Sequence, residues 1–60
     1  MNKQQLLYIK SLWEIQNADS TKEMILFRSM FVLHCQFTTE ERTELSNYIK
    51  NHPKLRLNIS

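Results

Sequence analysis

The sequence predicts a mainly α fold: a compact three-helix domain with a short C-terminal β segment, dimeric in solution. Three observations predict it. Apolar residues recur at helical spacing in three stretches, each preceded by residues suited to capping a helix. The 60 residues include no glycine and one proline, which removes the positive-φ positions that the tight turns of an all-β fold need. Residues 54–60 alternate polar and apolar, the period of a half-buried strand.

A chain this short forms one marginal domain, residues 1–60, because small domains bury a smaller share of their surface than large ones. Its apolar content of 42% separates it from disordered chains, which bury too little apolar surface to offset ordering entropy.

The first helix is predicted over about 3–17. Asn2 can cap it, and Leu6, Tyr8, Ile9, Leu12, Trp13 and Ile15 spread over one broad face. Lys3, Lys10, Ser11 and Glu14 lie opposite, and Leu7 is the one apolar residue out of place. The stretch Asn17-Ala18-Asp19-Ser20 breaks the pattern, and Ser20 with Glu23 reads as a capping box opening a second helix over 21–36. Leu26, Phe27, Met30, Phe31 and Leu33 give that helix a wide core face. Ile25 and Val32, with Ser29 between them, lie behind it, so the helix is apolar on nearly all sides and needs cover on all sides.

Thr38 with Glu41 forms a second capping box, and Glu40, Glu41 and Glu44 complement the positive end of a third helix over 39–51. Its apolar stripe is narrow: Leu45, Tyr48 and Ile49. Pro53 lies just beyond its end. The tail 54–60 then places Leu55, Leu57 and Ile59 on one side of an extended segment.

Several chemistries are poorly served by these residues. A zinc site needs three or four converging ligands, whereas His34 and Cys35 are neighbours on a helix and His52 is the only other imidazole. Cys35 sits near a helix C-terminus, where the dipole disfavours a thiolate, so no nucleophile is expected there. No glycine-rich phosphate cradle can form without glycine. The acidic patch Glu40, Glu41 and Glu44 is explained by the helix N-terminus alone. We therefore expect no enzyme, no cofactor and no metal.

The net charge of +2 is too small for a nucleic-acid footprint. The second and third helices could form a helix-turn-helix-like DNA-binding regulator, which is the alternative reading. Its recognition helix would, however, lead with Thr39, Glu40, Glu41 and Glu44, and carboxylates repel phosphates. Nucleic acid is thus not the expected partner. No apolar run is long enough to cross a bilayer, and residues 1–17 lack a signal-peptide pattern. One unpaired cysteine fits a reducing cytosol, so the expected location is cytoplasmic.

The back of the second helix has no obvious cover within the chain, and the tail strand has no neighbouring strand. Oligomerisation or partner binding is the usual remedy for a chain with so small a core. The expected function is accordingly a small non-enzymatic regulatory protein that binds another protein, as an inhibitor, antirepressor or adaptor. Regulators of this size are common in bacteria and phages, an analogy of size and composition alone. The contact residues expected are Ile25, Ser29, Val32, Leu55, Arg56, Leu57 and Ile59, with the Glu40, Glu41 and Glu44 patch meeting a charged surface.

Overall fold

A computed structural model describes residues 1–55 and contains three helices, α1 (Lys3–Ile15), α2 (Ser20–Gln36) and α3 (Thr39–Lys50), followed by a 3-10 turn (Pro53–Leu55). The mainly helical architecture follows from the capping signals in the sequence. The Asn2 side chain accepts from the Gln5 amide at 2.9 Å, while Gln5 Oε1 accepts from the Asn2 amide at 2.7 Å. This reciprocal pair starts α1 by satisfying two backbone donors that the helix cannot satisfy itself. Thr38 and Glu41 do the same for α3, at 3.2 and 2.8 Å.

Helix α2 starts one residue before the predicted position. Its cap is Asp19, whose carboxylate accepts from the Lys22 amide at 2.8 Å, and Ser20 is already helical. Aspartate caps as well as serine does and adds a negative charge at the positive end of the dipole, so it wins the contest between adjacent candidates.

The core is drawn unequally from the elements. Ile9, Leu12 and Ile15 of α1 meet Met30 of α2, Phe37 of the α2–α3 connection, Leu45 of α3 and Leu55 of the turn. Tyr8, Leu26, Leu33, Tyr48 and Ile49 pack around them half-buried. Helix α1 is therefore the central element, and α2 contributes one fully buried side chain from its whole length. The expected need for cover on every side of α2 is not met within the described chain.

The tail departs from prediction. Lys54 and Leu55 belong to the 3-10 turn, with the Leu55 amide donating to the His52 carbonyl at 2.9 Å, so the extended segment does not begin at residue 54. Proline presets the φ of a tight turn, and the turn drops Leu55 into the core, where it has no exposed surface. Gln16 Nε2 donates to the Lys54 carbonyl and ties the turn to the end of α1. No strand occurs among the described residues, and the expected strand residues Arg56, Leu57 and Ile59 lie outside them.

Candidate protein-interaction surface

The surface of α2 follows from the way the helix is seated. Its buried line runs through Leu26, Met30 and Leu33, which at 100° per residue is one narrow sector. Everything outside that sector faces solvent. Phe31 is 71% exposed, Ile25 61%, Met24 60%, Val32 53% and Phe27 41%. Large apolar side chains gathered on one element in this way are unusual on a monomer, where exposed apolar residues are normally scattered.

Two apolar grooves flank the helix. On one side Tyr8 of α1 faces Phe27, Met30, Phe31 and His34 of α2, and this groove extends to Arg28 and Val32, which border the other groove too. The Tyr8 ring lies edge-on to Phe37, with centroids 5.9 Å apart, and tilted toward His34 at 6.3 Å. Burial against these neighbours pushes the Tyr8 hydroxyl above its ordinary pKa. On the other side Leu7 of α1 faces Ser29, Val32 and Leu33. Leu7, the residue out of place in the α1 pattern, is thus part of a groove wall and is half exposed.

The expected contact residues divide into three groups. Ile25, Ser29 and Val32 share one exposed flank of α2, with the Leu7 groove beside it. Leu55 is the most deeply buried side chain described, so its surface is committed to the core and unavailable to a partner. Arg56, Leu57 and Ile59 lie outside the described residues.

Phe27 and Phe31 fall on the core face in the sequence pattern, yet the fold leaves both outside. The distinguishing signal is that Leu26, Met30 and Leu33 alone fill the contact with a single neighbouring helix. A face as wide as the predicted one would require two neighbours.

The acidic patch has a structural explanation at its centre. Glu41 accepts from the Thr38 amide and from the Asn2 side chain, and the Thr38 amide hydrogen bond is the main reason its carboxyl is held below the ordinary range. Its backbone carbonyl accepts from Nε2 of the buried Gln5 at 3.2 Å. Glu41 therefore joins α1 to α3, while Glu40 and Glu44 remain exposed on the outer side of α3 with Thr43 and Asn47.

Arg42 is turned back toward α2. Its Nε donates to the His34 carbonyl at 3.0 Å and its Nη2 to the Cys35 carbonyl at 3.4 Å. A cation at these carbonyls complements the negative end of the α2 dipole. Cys35 itself is exposed and unpaired.

No group of three or more His, Cys, Asp or Glu residues is placed to hold a metal among the described residues. None of the described helices is long and apolar enough to cross a membrane. No known protein family, curated protein or solved structure matches the chain.

Proposed function

We propose that this protein is a non-enzymatic, cytosolic regulatory module that acts by binding another protein through the outer side of α2, and that it is a homodimer. The observation that carries this reading is the exposure of Met24, Ile25, Phe27, Phe31 and Val32 on one helix. Apolar area left in water is unfavourable by about 25 cal/mol per Å², and covering it with a partner recovers that energy. The grooves are open and apolar, which suits a helix or loop of another protein better than a small polar substrate.

The Ile25–Ser29–Val32 flank is assigned to the regulatory partner. Ser29 is small and sits between two β-branched side chains, so the partner backbone can approach closely there. The Glu40 and Glu44 side of α3 offers a charged rim. DNA binding gains nothing from the geometry, because Arg42 is turned onto the end of α2 and the exposed side of α3 carries carboxylates.

The test is capture from a lysate of the source organism with wild-type and Val32→Glu proteins as baits. Val32 is exposed and glutamate favours helix more than valine does, so the variant should keep its fold. A protein retained by the wild type and lost from Val32→Glu is the expected result. Identical retained sets, with matching circular dichroism, would contradict the assignment of this flank.

A further inference from the structure

The exposed residues of α2 include a seam with the spacing of a two-stranded coiled coil. Met24, Phe27, Phe31 and His34 are separated by three, four and three residues, and all four are exposed. In heptad terms Met24 and Phe31 take the a positions and Phe27 and His34 the d positions. The seam is rotated by roughly a third of a turn from the buried Leu26–Met30–Leu33 line, and Tyr8 of α1 borders it across the open groove.

The charges beside this seam are self-complementary. Glu23 occupies the g position on one side and Arg28 the e position on the other, five residues later. That separation is too wide around the helix for the two to meet within one chain, and neither forms an ion pair among the described residues. In two parallel, in-register helices, the g side chain of one lies beside the following e side chain of the other. Glu23 of each copy would then meet Arg28 of its partner, twice per dimer. The next g position is Met30, which is committed to the core, so Glu23–Arg28 is the one charged flanking pair.

The antiparallel arrangement offers no such match. There e positions face e positions, so Arg28 meets Arg28, Thr21 or Cys35, and Glu23 meets Glu23 or Met30. Charges at e and g set helix orientation and partner choice, and here they select the parallel pair.

We propose that α2 pairs in parallel and in register with α2 of a second copy along Met24, Phe27, Phe31 and His34, with reciprocal Glu23–Arg28 bridges. This rests on the reading of α2 as a protein-binding helix and deepens it. The second copy fills the groove between Tyr8 and Phe31, whose rim extends to Arg28 and Val32, whereas Ile25 and Ser29 lie outside it and stay open to the regulatory partner. One helix thereby serves two interfaces.

The test uses Glu23→Arg and Arg28→Glu full-length proteins, measured alone and mixed by sedimentation equilibrium. Each alone places like charges at both bridges, and we expect its dimer dissociation constant to rise about tenfold over wild type. In the equimolar mixture each bridge again joins one carboxylate to one guanidinium, with the two signs exchanged at one of them. The mixture should therefore recover heterodimer at wild-type affinity. Orientation is read separately with Met24→Cys in a Cys35→Ser background, which should oxidise to a disulfide-linked dimer.

Singles that dimerise as wild type, a mixture no tighter than the singles, or failure of the Met24→Cys protein to cross-link would each overturn the proposal. A dimer that persists unaffected by the charge swaps, with Val32-dependent capture retained, would sink this inference alone, whereas absence of any dimer would also sink the homodimer of the proposed function. Capture lost with the charge-swap pattern intact would sink the regulatory-partner reading alone.

Discussion

Among individual residues, Leu55 closes the space between α1 and α3 and has no exposed surface. Truncating a buried leucine removes both transfer energy and packing, and the cost is about 2–5 kcal/mol. That is comparable with the whole stability expected of a domain this small. Leu55→Ala should therefore lower the urea midpoint steeply or leave the protein largely unfolded without denaturant. A midpoint within experimental error of wild type would show that the turn is not part of the core.

Leu55 is hard to place from sequence because the alternation of Leu55, Leu57 and Ile59 suits a strand equally well. Pro53 is the better guide, since it favours a turn immediately before Leu55. Gln5 is similarly concealed. Its spacing from Asn2 marks a capping partner, but nothing local shows that Nε2 reaches the Glu41 carbonyl across the fold.

Among the helices, capping is legible in part because it is local: the Thr38–Glu41 box forms as read, the Ser20–Glu23 box gives way to the Asp19 cap, and Asn2, read as a lone cap, gains Gln5 as its partner. Asn2 with Gln5 and Thr38 with Glu41 need only three-residue spacing and the hydrogen-bonding capacity of the side chains. The α2 start differs from expectation by one residue because two good caps are adjacent and only their relative strength separates them. Helix exposure is less legible. Periodicity states which residues share a face, whereas burial depends on how many neighbours that face meets.

The Glu41 network, which joins α1 to α3, makes a prediction in pH. Its carboxyl is held below the ordinary value, first by the Thr38 amide and then by the Asn2 side chain. A depressed folded value means that the stabilisation is fully present above the unfolded value, near 4.5, and is lost as pH falls through the folded one. Thermal melts between pH 6 and pH 3 should thus show a steeper acid-side decline for wild type than for Glu41→Gln. The glutamine retains an acceptor for the Thr38 amide but does not titrate. Parallel curves would contradict the role given to the carboxylate.

Taken together, the elements put α1 at the centre of the molecule and α2 at its periphery. The chain organises its core around Ile9, Leu12 and Ile15 and leaves its most apolar helix largely outside. The surplus of apolar residues over what 60 residues can enclose is legible in the sequence. Which side of α2 carries that surplus is not, because α1 could pack on either of two apolar faces. The line chosen, through Leu26, Met30 and Leu33, leaves a heptad-spaced seam on one flank and the Ile25–Ser29–Val32 surface on the other.

If the outer side of α2 binds protein, a second copy is its first occupant, and Phe31 lies in the middle of that contact. Phe31 is the most exposed of the large apolar residues and contributes little to the monomer core, so its substitution separates association from folding. Sedimentation equilibrium of wild type beside Phe31→Glu should give twice the 7.3 kDa chain mass for wild type and the single-chain mass for the variant, with equal helicity in both. Equal masses for the two proteins at every concentration would contradict the dimer and the surface assigned to it.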